Sequence, residues 1–199
     1  IVTAVMWGRS LYKNIQRFIG FQLTISLTAL IITLAGSLIG TEMPLTVTQI
    51  LWINLIIDTF ASLALSTIPP SSSVMKEKPR KASVFIVSRS LLRSIIVTTV
   101  GFCLFLSWLI LRCDSTVFSE VGIMVTPHEL TVIFTSFVML QFWNLLNAKA
   151  WDSGRSAFAD LCHCNGLLLV LTIILVCQVL IVQFGGAVFR TEALSVTSW

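Results

Sequence analysis

Five apolar bands, at about 20–40, 47–68, 94–111, 130–147 and 166–184, restrict what this chain can fold into more than any other feature. Each is close to the ~20 residues that an α-helix needs to cross ~30 Å of hydrocarbon. Only 11% of the residues are charged and 56% are hydrophobic, far from the roughly 25% charged residues of a soluble domain. The predicted fold class is therefore all-α, a multi-pass transmembrane helical bundle of about five helices, with 1–199 as one membrane domain and the lipid bilayer as its surroundings. No band reads as a cleaved signal peptide, because the chain opens on Ile1 without a basic region and a small-residue cleavage site.

Basic residues fall on one side of the predicted bundle. Arg9, Lys13 and Arg17 precede the first band; Lys76, Lys78, Arg80, Lys81, Arg89 and Arg93 lie between the second and third; Lys149 and Arg155 lie between the fourth and fifth. Arg112 and Arg190 alone fall on the other side, with Glu42, Asp114, Glu120, Glu129 and Glu192. Lys and Arg accumulate in short cytoplasmic loops, so the N-terminus is expected in the cytoplasm and the C-terminus outside. The run from Lys76 to Lys81 reads as a topology signal, with attraction to anionic lipid as the alternative. No nucleic-acid partner is expected.

The second band, Gln49-Ile-Leu-Trp-Ile-Asn-Leu-Ile-Ile-Asp-Thr-Phe-Ala-Ser-Leu-Ala-Leu65, carries Asn54 and Asp58 at membrane depth. A charge there costs ~2.5–3.5 kcal/mol on insertion scales, so such residues face a cavity, a partner or an ion path. At helical spacing i and i+4 share a face, which would aim an amide oxygen and a carboxylate at one point. Hard oxygen ligands suit a hard cation such as calcium.

Trp7 to Phe18 is basic and amphipathic and runs without a breaker into the first band, implying one helix from cytoplasm into membrane. Thr24, Ser26, Thr28 and Thr33 are small polar groups able to bond i−4 carbonyls. Gly36, Gly40 and Pro44 are read as an external hairpin, Pro69-Pro70 as the end of the second helix, and Cys103 as a small packing residue. Gln141, Asn144 and Asn147 lie along one helix face, suited to helix–helix bonding or to an ion path. Cys162-His-Cys164 is a weak zinc signal, and no disulfide framework is apparent.

The second band, Gln49 to Leu65, resembles the sixth transmembrane helix of P-type calcium ATPases of the plasma-membrane type. Gly8-Arg9 with Phe21-Gln-Leu-Thr24 resembles the stalk and fifth helix, Phe137-Val-Met-Leu-Gln141 with Asn144 and Asn147 the eighth, and Ile181-Val-Gln-Phe-Gly-Gly186 the end of the ninth. Leu194 to Trp199 resembles the approach to the tenth. The resemblance implies a C-terminal membrane domain, helices five to nine, of a pump in a plasma membrane or bacterial inner membrane. Such pumps carry an Asp-Lys-Thr-Gly-Thr phosphorylation motif and a nucleotide-binding domain, which this sequence lacks. ATP and magnesium would thus bind in the rest of the parent, and this chain alone would not be catalytic.

The resemblance makes Asn54 and Asp58 sixth-helix ligands of the transported calcium, with a fourth-helix glutamate supplied from elsewhere. The reticulum-type pumps use an Asn and a Glu on the fifth helix and a Glu on the eighth, where this sequence has Ser26, Ala29 and Gln141. Loss of both acids, and Ile57 in place of a Thr, imply a single calcium site, with Ser26 and Gln141 as supporting residues. The alternatives are a P-type pump for another cation such as manganese, or a non-enzymatic secondary cation exchanger or packing subunit. The internal repeats of many secondary transporters are not evident here.

Overall fold

The first helix begins well before the first apolar band. In the computed structural model, which describes residues 1–39, 45–70, 72–76, 85–113, 118–119, 122–123, 126–151 and 164–195, α1 runs unbroken over Val2–Ile39. Its 38 residues at ~1.5 Å each make about 57 Å, nearly twice the hydrocarbon thickness. The expected continuity from stalk into membrane is thus present. The second span is α2 (Val47–Trp52), a π turn (Ile53–Ile57) and α3 (Asp58–Ser66) in one continuous rod. After a 3-10 turn at Ser72–Lys76 come α4 (Arg89–Cys113), α5 (Pro127–Ala150), α6 (Asn165–Phe184) and the single turn α7 (Gly186–Phe189). Phe118–Ser119 and Gly122–Ile123 pair as a minimal antiparallel ladder between α4 and α5.

Five of these helices are long and apolar enough to cross a membrane, matching the five bands. α1 is the central post: α4, α3 and α5 all pack on it, and α6 closes the far side against α3 and α5. The shared core is Phe21, Ile25 and Ile32 of α1 with Ile57 and Ala61 of the second span and Phe134 and Phe137 of α5. Leu92, Ile96, Val97, Val100, Leu104 and Leu111 of α4 point outward and are exposed. An apolar face of that extent suits lipid. Cys103 packs against the core as a small residue.

Both ends of the bundle are tied by side chain to backbone bonds. At the basic end, α1 holds the chain on both sides of Pro69-Pro70: Arg9 Nη1 donates to the Val74 carbonyl (3.0 Å), Asn14 Nδ2 to that of Ile68 (3.2 Å) and Gln16 Nε2 to that of Ile86 (2.6 Å). At the opposite end Thr46 and Gln49 form a reciprocal capping box at the start of α2. Gln49 Nε2 also donates 2.8 Å to the Phe189 carbonyl. The Gly185-Gly186 pair makes this closure possible, because Gly186 has φ +44° and Gly185 has no room for a Cβ. Thr126 and Glu129 form the second capping box, with Pro127 in the first turn of α5.

Several sequence expectations fall on residues outside those described: the hairpin residues Gly40 and Pro44, the run from Lys78 to Lys81, Arg155, Cys162 with His163, and the tail 196–199.

Candidate functional site

Asp58 is the first residue of α3, immediately after the π turn, and its carboxylate is 7% exposed. It lies nine residues beyond Gln49 and ten before Ile68, about 14–15 Å of helix from each anchored end. That is mid-membrane depth. π turns inside α-helices are rare and frequent at functional sites, since the extra residue shifts the register of everything that follows. Nothing in Ile-Asn-Leu-Ile-Ile, with no Gly or Pro, announces the turn.

The predicted ligand pair lies at this turn, Asn54 within it and Asp58 just after it. The two differ in exposure: Asn54 is exposed while Asp58 is buried. Asn54 therefore looks out of the bundle and Asp58 into it. Thr59, the next residue, returns its hydroxyl to the Leu55 carbonyl inside the π turn, so one freed acceptor is satisfied locally.

Asp58 faces α1. Its Oδ2 accepts a 2.7 Å hydrogen bond from Nε2 of Gln22. Its other oxygen, Oδ1, is buried with no hydrogen-bond partner, and so is the Oε1 of Gln22. Buried polar atoms are rarely left unsatisfied, and two on a bonded pair mark this spot as chemically unusual. Ser26 lies one turn further along α1 and is exposed. Thr24 and Thr28, by contrast, bond the carbonyls four residues back, at 2.8 and 2.7 Å. They serve the helix and not the site.

Gln141 is on a different face. It is 1% exposed on α5, and its Oε1 accepts from Asn144 Nδ2 at 3.5 Å. The same Asn144 Nδ2 reaches the Phe21 carbonyl of α1 at 3.3 Å, so the polar face of α5 does make a helix–helix bond. Asn144 and Asn147 also line a shallow cleft with Arg17, Thr24, Ser94 and Thr98, at the α1–α4–α5 junction and away from Asp58. The arrangement thus brings Gln22 and Asp58 together, leaves Asn54 and Ser26 exposed, and pairs Gln141 with Asn144 of its own helix. Gln22 was legible only as a polar residue in an apolar band, one turn before Ser26.

Chemically, the site is a single carboxylate among neutral oxygens. Among the described residues no three His, Cys, Asp or Glu side chains cluster to hold a metal. One buried carboxylate with amides nearby is suited to a cation that must be released again, because affinity rises with ligand charge count and site rigidity.

Residues 42–199 match the family described as "Cation transporting ATPase, C-terminus". The chain is 34% identical over 205 residues to plasma membrane calcium-transporting ATPase 4 of Bos taurus, an alignment covering 100% of this chain and 17% of that protein. It is 37% identical over 209 residues to plasma membrane calcium-transporting ATPase 3 of Rattus norvegicus (100% and 16%) and 35% identical over 206 residues to plasma membrane calcium-transporting ATPase 1 of Gallus gallus (100% and 17%). The chain spans about a sixth of the length of these relatives. A family match over most of the sequence, on a bundle with five helices long and apolar enough to cross a membrane, means that the chain belongs to the cation-transporting ATPase C-terminus family.

Proposed function

We propose that residues 1–199 are the ion-pathway portion of an ATP-driven calcium pump of the plasma membrane, in which Asn54 and Asp58 ligate a single transported calcium ion. The observation that carries this reading is Asp58: a buried carboxylate at mid-membrane, directly after a π turn, with an oxygen that has no partner. The relatives are named as calcium-transporting ATPases of plasma membranes. Phosphorylation, nucleotide binding and magnesium belong to the rest of the parent protein.

In this reading the N-terminus of α1 is cytoplasmic and the helix acts as a stalk. Aspartyl phosphorylation elsewhere moves it, and its bonds to the Ile68, Val74 and Ile86 carbonyls couple that movement to the end of the second span. The π turn is where that span can change register without breaking, which lets Asp58 and Asn54 meet a cation from one side and release it to the other. Calcium takes six to eight oxygens at ~2.3–2.6 Å. Asn54 and Ser26 are exposed, and a glutamate from a further helix of the parent completes the shell.

Asp58→Asn in the complete pump tests this. The expected result is loss of calcium-dependent phosphoenzyme formation from ATP with the protein still inserted in the membrane. Normal calcium-dependent phosphorylation in that variant overturns the site.

A further inference from the structure

We propose that Gln22 is the cation-binding residue that α1 contributes to this site: its amide N–H holds Asp58 when no cation is bound, and its carbonyl oxygen ligates the cation when one is. The inference deepens the reading of Asp58 as a ligand and rests on it. The resemblance pointed to Ser26 as the α1 residue, yet Ser26 is exposed and the residue that touches Asp58 is Gln22.

Three observations lead to it. Gln22 Nε2 lies 2.7 Å from Asp58 Oδ2, so the two side chains already meet at the depth where the cation must sit. The two atoms of this pair that lack partners are both oxygens, Gln22 Oε1 and Asp58 Oδ1, and both are sealed from solvent. They belong to groups already joined by a hydrogen bond. A cation that draws in both groups satisfies both acceptors at once. A donor such as a hydroxyl could satisfy them as well, but Thr24 and Thr28 are spent on carbonyls of their own helix, and Ser26 is an exposed residue while the two oxygens are buried.

The residue type fits the double task. A glutamine amide is uncharged and carries donors on one atom and acceptor lone pairs on the other. It can steady a lone carboxylate in an apolar surrounding, then present oxygen after a half-turn about its last side-chain bond. A lysine or arginine in its place would hold the carboxylate and exclude the cation. A second acid would raise the charge count and, with it, retention of the ion. Gln22 therefore bears on how tightly calcium is held and which hard cation is preferred, while Asp58 supplies the charge.

The test uses the complete pump with Gln22→Met, of similar length without the amide, and Gln22→Glu. Calcium-dependent phosphoenzyme formation from ATP reports the cation site; phosphorylation by inorganic phosphate without calcium reports the folded, cation-free pump. For Gln22→Met the calcium concentration for half-maximal phosphorylation is expected to rise about tenfold or more, equivalent to ~1.4 kcal/mol, with phosphorylation by inorganic phosphate retained. Gln22→Glu is expected to change the ratio of half-maximal concentrations for calcium, strontium and manganese, a readout that loss of packing would not move. A Gln22→Met pump whose half-maximal calcium stays within about twofold of wild type overturns the proposal. If Gln22→Met fails to fold, an unchanged cation ratio in Gln22→Glu overturns it equally. Were Asp58→Asn to phosphorylate normally, the parent reading would fall; loss in Asp58→Asn with no effect at Gln22 sinks only this inference.

Discussion

Replacing Gly185 by alanine should damage the bundle far more than the same change at Gly20, although both glycines sit at tight places. A Cβ at Gly185 would stand 2.3 Å from the carbonyl oxygen of Ile181, with Phe189 Cδ2 and Thr191 Oγ1 each at 3.1 Å. The nearest obstacle is backbone and cannot rotate away. That carbonyl also accepts from Gly185 N at 2.7 Å and from Thr191 Oγ1 at 3.2 Å, so the chain can yield only by moving the segment from 185 to 194. The segment is held at other points: Gln49 Nε2 to the Phe189 carbonyl, Gln183 Nε2 to that of Leu194, and Glu192 N to Thr131 Oγ1. Overpacking costs ~1–3 kcal/mol and each hydrogen bond lost adds ~1 kcal/mol, giving roughly 2–4 kcal/mol in all.

At Gly20 the added Cβ meets only Leu91 Cδ1, at 2.8 Å, the far end of a side chain that can change rotamer. Alanine is also favoured over glycine within a helix by ~0.5–1 kcal/mol. The two effects nearly cancel. Both variants can be followed by denaturant unfolding in detergent micelles, using the intrinsic fluorescence of the tryptophans, including Trp52, whose ring stands edge-on to Phe189 at 6.4 Å. Gly185→Ala is expected to unfold at distinctly lower denaturant than wild type and Gly20→Ala close to it. Equal stability of the two variants, or a larger loss at Gly20, would refute the argument that backbone obstruction decides the cost.

Two further outcomes are expected. In the proposed function a complete pump should occlude one calcium per phosphorylation site, because the resemblance sets Ala29 and Gln141 where two-site pumps have acids; two occluded ions per site would contradict it. The isolated chain should bind calcium weakly or not at all, since Asp58 is one carboxylate and protons compete with metal for it; isothermal titration showing micromolar affinity that disappears with Asp58→Ala would prove that these helices suffice.

The parts of this fold that depend on composition along the chain were legible before the structure. The five spans follow from run length, and the long stalk follows from the unbroken stretch Trp7 to Phe18. What depends on register was not. Ile53 to Ile57 holds no Gly or Pro, so a π turn there has no signature in the residues, and neither has the burial of Asp58 beside an exposed Asn54. Gln22 escaped for a related reason. Its partnership with Asp58 needs α1 and the second span aligned in depth, and that alignment comes from Asn14 gripping the Ile68 carbonyl, a bond between positions 54 apart in sequence. The role of Asn144 as a tie to Phe21 could be expected as a type of contact, but not its target.

The outward side of the second span says where the remainder of a pump must stand. Thr59 and Ser66 are exposed there, but each hydroxyl bonds a carbonyl of its own helix, Leu55 and Leu63, and a hydroxyl satisfied in that way can face lipid at little cost. Asn54 is different. Its amide has two donors and a two-lone-pair acceptor, more than one turn of its own helix can satisfy, and in hydrocarbon each group left over costs several kcal/mol. Ser26 on the adjoining helix is exposed too. An exposed amide in a bilayer is best served by a protein neighbour. The bundle meets Asp58 through Gln22 and leaves Asn54 exposed, and in the proposed function a further helix of the parent covers Asn54 and supplies the missing acid.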